Sequence, residues 1–339
     1  MTKRMELSED ELIAAIRRVL SGPGPGVVLG MGDDAAVVDR GSGSLVLTTD
    51  MLVEAVHFDR ALVPARDLGA KAIVVNVSDI AAMAASPRYA LVSLAVPEDV
   101  GAKWVVELAG GMRDACEEYA LTLVGGDTNR ADEVVISVTV VGEVAPGHHI
   151  TRGGAHPGDL IVVTGTLGAA AAGYLLSAMP PSRAARGLSG PWGRDALDAL
   201  LHPVARVGEG QTLAQAGATA MMDLSDGLAK DLSRLCAESG VGARVEAARV
   251  PVSRVVREGA AFLGADPLEL AIGGGEDYEL LATMDATDLD RARAELDERF
   301  GVSLTEVGVI SESGLTLVGA DGIEGPLAPK GWDHFRRAT

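Results

Sequence analysis

Seven aspartates lie in apolar, glycine-flanked segments of this 339-residue chain, mostly where a strand-like run ends. They are Asp33 and Asp34 in GMGDDAAVV, Asp50 in LVLTTDMLV, Asp79 in VVNVSDIAAM, Asp127 in LTLVGGDTNR, and Asp223 and Asp226 in AMMDLSDGLAKDL. Burying an unpaired carboxylate is costly. A turn or a helix cap explains any one of them, and Ser225 or Asp226 is a natural N-cap for the helix that follows. Seven together, in a chain with five lysines, are explained better by Mg²⁺, which takes oxygen ligands and bridges to phosphates.

The overall charge limits the kinds of molecule that we expect this protein to bind. Asp and Glu number 48 against 29 Lys and Arg, a formal net charge of −19, and 3% of residues are aromatic. Such a surface repels nucleic acid and anionic lipid and offers few stacking platforms, so we expect neither partner. Two unit charges about 4 Å apart repel by roughly 4 kcal/mol at an effective dielectric of 20. A phosphorylated ligand beside the acidic motifs therefore requires cations between them.

Several familiar motifs are missing from the sequence. There is no Walker A loop, no protein-kinase signature and no dinucleotide-binding GxGxxG between a strand and a helix. Two cysteines make neither a disulfide scaffold nor a four-thiolate zinc site. The first residues lack the apolar core of a signal peptide, and the uncharged run 160–179 is typical of a buried strand, turn and helix. We expect a cytoplasmic protein without a membrane span.

The order of elements predicts a mixed α/β fold in two domains. Strands and helices alternate through residues 1–150, the Gly- and Pro-rich segment APGHHITRGGAHPGD favours a linker, and a second α/β unit follows over 151–339. The first unit opens with the predicted helix LSEDELIAAIRRVLSG. Within the second unit, the Pro- and Gly-rich segment 180–194 predicts a mobile loop.

Four further residues are candidates for ligand contact. A glycine run in GGGEDYELLAT brings Glu276 to the start of a strand, although a tight turn with solvated acids explains it equally. Arg152 suits bidentate phosphate contact but is also a common surface residue. His57 is either a structural histidine or a ligand contact, and Trp332 either packs the C-terminal segment or stacks on a flat ring.

Taken in order, the motifs resemble the thiamine-monophosphate kinase family, within the superfamily of aminoimidazole ribonucleotide synthetase. The motifs are MGDDAAVV, TTDMLVEAVHF, NVSDIAAMAASP, LVGGDTNR, TRGGAHPGD, MMDLSDGL, GGGEDYEL and GWDHF, from Gly32 to Phe335. The resemblance implies ATP-dependent phosphorylation of thiamine monophosphate to thiamine diphosphate, the final step of thiamine diphosphate biosynthesis. It also implies a homodimer whose N-terminal domains form a barrel-like interface, with the active site in a cleft completed by the C-terminal domain.

The same resemblance implies roles for individual residues. Several Mg²⁺ ions would be held by Asp33, Asp34, Thr48, Thr49, Asp50, Asp79, Asp127, Asp223 and Asp226, of which Asp127, Asp223 and Asp226 would be catalytic. ATP would contact Gly126, Asp127, Arg152 and Ser225, and thiamine monophosphate would contact His57, Glu276 and Trp332. A monovalent cation is a further candidate. Trp stands here where Tyr is common in the closing motif, and no tyrosine matches the adenine contact that some members make from the long helix of the first domain.

The acceptor is itself an ionised phosphate, so the expected chemistry is direct in-line transfer assisted by metals, without a covalent phosphoenzyme.

The sister enzymes selenophosphate synthetase and the hydrogenase-maturation factor place a reactive cysteine near one terminus, whereas the cysteines here are Cys116 and Cys236. A non-enzymatic cation-binding module is the alternative from a different class.

Overall fold

The computed structural model describes residues 11, 13, 26–30, 32–41 and 43–332. The predicted opening helix falls almost entirely outside these residues, and so do residues 333–335 of the closing GWDHF motif. The described part forms two β-sheets and ten α-helices, which confirms the predicted mixed α/β fold.

The first sheet has six strands in the order β1-β2-β3-β6-β4-β5. Their bounds are β1 Val27–Leu29, β2 Ala36–Asp39, β3 Ser44–Val53, β4 Ser86–Val96, β5 Thr122–Arg130 and β6 Val135–Val144. All pairs are antiparallel except β4 with β5. Because side chains alternate along a strand, one face of this sheet supplies Val46, Val92 and Val138 to a buried core.

Two helices cover that inner face, α1 (Ala65–Ala82) and α2 (Ala102–Glu118). Helix α1 is apolar nearly all round and is buried along most of its length, which is typical of a helix between two layers. Glycines let the two helices approach closely. A Cβ on Gly69 would lie 2.0 Å from the Leu108 carbonyl oxygen, and one on Gly111 would lie 1.7 Å from the Arg66 carbonyl oxygen. The position of α1 therefore depends on backbone contact with α2.

The second sheet has seven strands in the order β13-β12-β9-β11-β7-β10-β8. Their bounds are β7 Leu160–Thr164, β8 Ala218–Asp223, β9 Gly242–Glu246, β10 Leu280–Met284, β11 Leu304–Ser311, β12 Leu315–Val318 and β13 Glu324–Pro326. The helices of this half are α3 Ala169–Ser177, α4 Pro181–Leu188, α5 Pro191–Leu201, α6 Val207–Gln215, α7 Leu228–Ser239, α8 Arg254–Leu263, α9 Pro267–Gly273 and α10 Leu289–Phe300. Two apolar clusters lie around this sheet, one including Ile161 and Leu232 and the other including Met221 and Leu296.

The segment 180–194 corrects one prediction, because it forms α4 and the start of α5 rather than a loop. Pro181 and Pro191 each occupy the first turn of a helix, where the missing N–H has no cost. Trp192 packs against Phe262 with ring centroids 5.5 Å apart, and the Arg183 guanidinium lies over the same ring. Proline here begins helices and glycine allows close packing, so the Pro- and Gly-rich composition does not produce a loop.

The predicted N-cap of α7 is also wrong. The helix begins at Leu228 after Gly227, whose φ of 112° an L-residue rarely adopts. The Asp231 carboxylate, from within the helix, accepts the backbone N–H groups of Asp226 and Gly227, both at 3.0 Å. Asp231 therefore holds the two backbone N–H groups that precede the helix, and neither Ser225 nor Asp226 caps it with a side chain.

No helix among the described residues has both the length and the apolar character needed to cross a bilayer.

We expect Gly111→Ala to lower the free energy of unfolding by about 3 kcal/mol, because the new methyl group would overlap the α1 backbone. Gly110→Ala is the matched control, since its nearest neighbour at 3.2 Å is the movable Nη1 of Arg66. Alanine at position 110 should be neutral or stabilising by up to about 1 kcal/mol. Urea unfolding measures both, and equal values for the two variants would contradict the close helix contact.

Candidate active site

A cleft of about 1110 Å³ lies between the two halves of the chain. Thirteen of the fifteen residues predicted for the site line it: Asp33, Asp34, Thr48, Thr49, Asp50, His57, Asp79, Arg152, Asp223, Ser225, Asp226, Glu276 and Trp332. Five separate stretches of the first half and the linker contribute some of these residues, and three stretches of the second half contribute the others. The fold thus gathers side chains that are up to 299 positions apart in sequence.

Three carboxylates meet at one place in this cleft. Asp34, Asp79 and Asp223 each place an oxygen within 4.8 Å of the other two. Asp34 precedes β2, Asp79 lies in α1 and Asp223 ends β8, so both halves of the chain contribute. Asp34 and Asp223 are buried and Asp79 is partly buried. We refer to these three residues as the carboxylate cluster.

Neutral hydroxyl groups support the cluster. Ser78 Oγ donates to Asp223 Oδ2 at 2.6 Å, and Thr48 Oγ1 donates to Asp79 Oδ2 at 2.5 Å. Asn76 Oδ1 accepts the backbone N–H of Asp50 at 2.8 Å, which joins α1 to β3. Each hydroxyl stabilises a charged carboxylate and fixes its orientation without adding a counter-charge. The positive charge that the cluster needs must therefore come from elsewhere.

Burial and mutual repulsion oppose ionisation of Asp79 and Asp223 in the cluster and of the neighbouring Asp33. Desolvation, followed by the charges of Asp50 and Asp223, raises the pKa of Asp79 well above its usual range. Desolvation and then Asp34 do the same to the pKa of Asp223. The pKa of Asp33 rises to about 7 through desolvation and then through Asp34. Closely spaced oxygen ligands that resist ionisation on their own are a donor set that a hard divalent cation fits.

Arg152 supplies part of the missing charge. Its guanidinium binds Asp34 through both oxygens, with Nε to Oδ2 at 3.0 Å and Nη2 to Oδ1 at 2.8 Å, and its backbone N–H donates to Asp33. The Arg152 side chain is 17% exposed and that of Asp34 is fully buried. One arginine cannot balance three carboxylates, so the site keeps an excess of negative charge.

Glu276 and Tyr278, which also line the cleft, have left-handed backbone conformations, with φ of 68° and 50°. Non-glycine residues rarely adopt this region, and the surroundings must hold them there. The N–H groups of Glu276 and Tyr278 donate to the carbonyls of Ser225 and Leu224, at 2.8 and 2.9 Å. The Asp277 carboxylate accepts the Gly168 N–H at the start of α3. The loop is therefore attached to the segment that bears Ser225.

Behind this loop lies a second ion pair. The buried Glu279 carboxylate binds Arg206 through two hydrogen bonds of 2.6 and 2.9 Å and accepts Thr164 Oγ1 at 2.6 Å. Arg206 immediately precedes α6. Because these contacts join α6, β7 and the residue before β10, they fix the base of the strained loop.

Asp226 is paired with cations from the next helix. Its Oδ2 lies 2.8 Å from Lys230 Nζ and 2.6 Å from Arg234 Nη1. Lys230 also donates to the Trp332 carbonyl, and the Trp332 N–H donates to the Asp226 carbonyl at 3.3 Å. The Trp332 side chain lines the cleft and the residue is 41% exposed. The backbone thus attaches Trp332 to the site while its ring remains accessible to a ligand.

His57 has a defined tautomer. Its Nδ1 accepts the backbone N–H of Val53 at 3.0 Å, so the neutral ring bears its proton on Nε2. This contact places the imidazole at the end of β3, on the wall of the cleft. The ring can donate a hydrogen bond from Nε2 to a ligand.

Gly126 and Asp127 are the two predicted site residues that do not line the cleft. Gly126 pairs with Val92, Val92 with Val138 and Val138 with Asp50, so three strand spacings separate Gly126 from Asp50. At nearly 4.8 Å per spacing this is about 14 Å. Asp127 belongs to the next row, which includes Ser93 and Met51 on the outward face of the sheet. Within one chain these two residues are remote from the carboxylate cluster.

The structure also adds residues that sequence patterns did not single out. Lys71, Tyr174 and Tyr278 belong to the cleft or to its wall. Tyr278 lies within the quoted motif GGGEDYEL, and Lys71 lies eight positions before Asp79. Closeness in sequence to these motifs was therefore the signal that could have indicated both residues. Nothing in the local sequence marks Tyr174, which α3 presents to the cleft.

Comparison with known proteins matches both halves of the chain to family models. Residues 32–144 match the AIR synthase related protein, N-terminal domain, and residues 156–319 match the AIR synthase related protein, C-terminal domain. The thiamine-monophosphate kinase of Aquifex aeolicus (strain VF5) is 36% identical over 330 residues, covering 97% of this chain and 99% of that protein. The chain belongs to the thiamine-monophosphate kinase family. The family member of Escherichia coli (strain K12) is also 36% identical, over 91% of this chain and 92% of its own length.

Solved structures of the family agree. A structure described as AaThiL complexed with AMPPCP and TMP superposes with a TM-score of 0.82 at 35% identity, covering 98% of this chain and 99% of that one. The hydrogenase maturation protein HypE in complex with ATP has a TM-score of 0.69 at 23% identity over 90% of each chain, a likeness of fold alone.

We predict that Asp223→Asn raises the melting temperature of chelator-treated protein at pH 8 by at least about 2 °C. The folded pKa values are raised, so the folded chain binds more protons than the unfolded chain between 3.8, the ordinary Asp value, and about 7, the value for Asp33. The contribution of these acids to stability is therefore greatest at low pH and falls as the pH rises through this window. Asp223→Asn removes one negative charge from the cluster, so this variant should lose less stability than the wild type as the pH rises.

Differential scanning fluorimetry from pH 5 to pH 8 measures the effect, with Asp132→Asn, at an exposed position, as the matched control. A pH dependence in Asp223→Asn as steep as in the wild type would contradict repulsion within the cluster.

Proposed function

We propose that this chain catalyses the transfer of the γ-phosphoryl group of ATP to thiamine monophosphate, giving thiamine diphosphate. The observation on which this rests is the carboxylate cluster at the junction of the two halves, in a member of a family whose curated relatives are thiamine-monophosphate kinases. The name of the similar solved structure pairs the nucleotide analogue AMPPCP with TMP, which supports both substrates.

Mg²⁺ is the cofactor that the donor set favours. Asp34, Asp79 and Asp223 would hold it in the cluster, with Asp33, Thr48, Thr49, Asp50 and Asp226 as further oxygen ligands on the same cleft wall. When bound, the metal supplies positive charge between the carboxylates and the substrate phosphates. The number of ions and any monovalent cation stay predictions.

The chain's own residues would divide the two substrates between them. Arg152 and Ser225 lie next to the cluster and would contact ATP, since a guanidinium fits phosphate oxygens through two hydrogen bonds. His57, Glu276 and Trp332 line the remaining wall and would contact thiamine monophosphate, with the Trp332 ring stacking on its aromatic part. Both substrates would then lie across the carboxylate cluster.

Direct in-line transfer fits the side chains present. The acceptor phosphate is ionised near neutral pH and needs no strong base. Both cysteines are buried, and desolvation raises the pKa of the Cys116 thiol and raises that of Cys236 to about 12, so neither is an activated nucleophile. His57 already uses Nδ1 on the backbone. Charge stabilisation and positioning therefore account for catalysis without a phosphoenzyme.

A homodimer would complete the site. Every residue of β5 is exposed, and this edge strand bears Gly126 and Asp127. The outward face of the sheet exposes Met51, Tyr89 and Leu91, which are 54%, 50% and 47% exposed. Such a face favours association, and a two-fold axis places the same surface on both partners. A second copy packed there would form the barrel-like interface and bring its β5 toward this chain's cleft.

We also propose residues 1–150 and 151–339 as the two domains, since each contains its own sheet and core. The cytoplasmic location stays a prediction. The alternative of a non-enzymatic cation-binding module gives no role to the exposed Trp332 ring on the cleft wall.

The decisive measurement is incubation of the protein with ATP, Mg²⁺ and thiamine monophosphate, followed by chromatographic detection of thiamine diphosphate. Asp79→Asn should lower kcat at least about 100-fold, because one ligand of the cluster loses its charge. Thiamine in place of its monophosphate should give no product, and labelled ATP without acceptor should leave the protein unlabelled. Divalent-ion binding without turnover would favour the cation-binding module.

A mixed dimer tests the shared site. In a heterodimer of Asp127→Ala and Asp79→Asn subunits, isolated through two different tags, one of the two sites is intact if Asp127 acts on the partner's cluster. We then expect about half of the wild-type turnover per dimer, while both mutant homodimers are inactive. If Asp127 served its own chain, both sites of the heterodimer would be defective and turnover would stay at background. Activity of the Asp127→Ala homodimer would remove the residue from the mechanism.

A further inference from the structure

Lys71 is a buried cation that none of the predicted roles uses. It lies in α1 with its side chain 7% exposed, and a buried ammonium group needs acceptors to offset its lost hydration. Nζ donates to the Leu200 carbonyl at 2.8 Å and to Glu276 Oε2 at 3.1 Å. The first contact is with the last turn of α5, where helix carbonyls favour a positive charge. Lys71 therefore joins the first half of the chain to two elements of the second half.

The position of Lys71 on its helix relates it to the carboxylate cluster. Lys71, Val75 and Asp79 follow each other at intervals of four residues, so they lie along one side of α1. Val75 and Asp79 line the cleft, and Lys71 contacts Glu276, which also lines it. Eight residues of helix span about 12 Å. One side of α1 thus has the metal-binding carboxylate at one end and the partner of Glu276 at the other.

Glu276 has a fixed backbone but a long side chain. Its N–H donates to the Ser225 carbonyl, and its φ of 68° sets the direction in which the side chain leaves the loop. The carboxylate is 29% exposed, and the Lys71 ammonium group on α1 holds one of its oxygens. A carboxylate held by a buried cation loses less conformational freedom when it meets a ligand.

We propose that Lys71 is a positioning residue for the organic end of thiamine monophosphate. Its ion pair holds the Glu276 carboxylate at a set distance from the carboxylate cluster, so that a ligand whose phosphate lies at the cluster meets Glu276 with its ring system. The inference rests on the proposed function and deepens it, because it assigns the substrate's two ends to the two ends of α1. ATP, which Arg152 and Ser225 would contact, would make no contact with this pair.

A double-mutant cycle with Lys71→Met and Glu276→Gln tests the proposal by steady-state kinetics. Each single change should raise the KM for thiamine monophosphate roughly tenfold, the scale of a charge-assisted hydrogen bond, while kcat and the KM for ATP change less than about twofold. The double variant should again show about a tenfold rise, because the second change removes nothing further. Lys103→Met is the matched control, since this lysine is 90% exposed on α2.

A merely structural role would give a different pattern. The melting temperature and both KM values would change together, and the two substitutions would multiply to about a hundredfold rise. That result, or an unchanged KM for thiamine monophosphate in Lys71→Met, would overturn the proposal. If Lys71→Met melts more than about 10 °C below the wild type, Lys71→Gln takes its place in the cycle, because its amide keeps a donor for the Leu200 carbonyl. Absence of turnover in the wild type would instead overturn the proposed function.

Discussion

The rest of the structure depends on holding three carboxylates together against their own repulsion. Asp34, Asp79 and Asp223 come from a loop, a helix and a strand end, and their oxygens lie within 4.8 Å of one another. Charges at such distances repel by several kcal/mol in a protein interior, so the surrounding scaffold must resist their separation. The Ser78 and Thr48 hydroxyls and the Arg152 guanidinium offset part of this repulsion. The remaining negative charge is what makes the cleft a cation site.

Helix α1 is the element that makes this arrangement rigid. It is buried along most of its length and meets α2 at glycines whose Cβ atoms would overlap the neighbouring backbone. From this fixed position it presents Ser78 and Asp79 to the cluster and Lys71 to Glu276. On the opposite wall, the strained loop with Glu276 and Tyr278 is held by backbone hydrogen bonds and by the Arg206–Glu279 pair. Both walls are thus ordered before any ligand binds, which lowers the entropy lost on binding.

Much of the secondary structure followed from the sequence, because long apolar runs and amphipathic periodicity leave few alternatives. In the uncharged run 160–179, the predicted strand, turn and helix are β7, the turn that follows it and α3. The sequence predictions were wrong at residue types that occur in two different structural roles. Pro181 and Pro191 begin helices that tertiary packing on Phe262 stabilises, and Asp231 rather than Ser225 or Asp226 satisfies the start of α7. Such choices depend on neighbours that are distant in sequence.

The sequence by itself determined which chemistry this protein favours, because seven aspartates in apolar, glycine-flanked segments of a chain with few lysines are explained best by divalent cations. Only the tertiary structure decided which of them act together. It joined Asp34, Asp79 and Asp223, paired Asp226 with Lys230 and Arg234, and placed Asp127 three strand spacings away on an exposed edge. It also paired Lys71 with Glu276, 205 positions apart. Residue types fix the cost of burying a charge, whereas the distances between charges are set by how strands and helices pack.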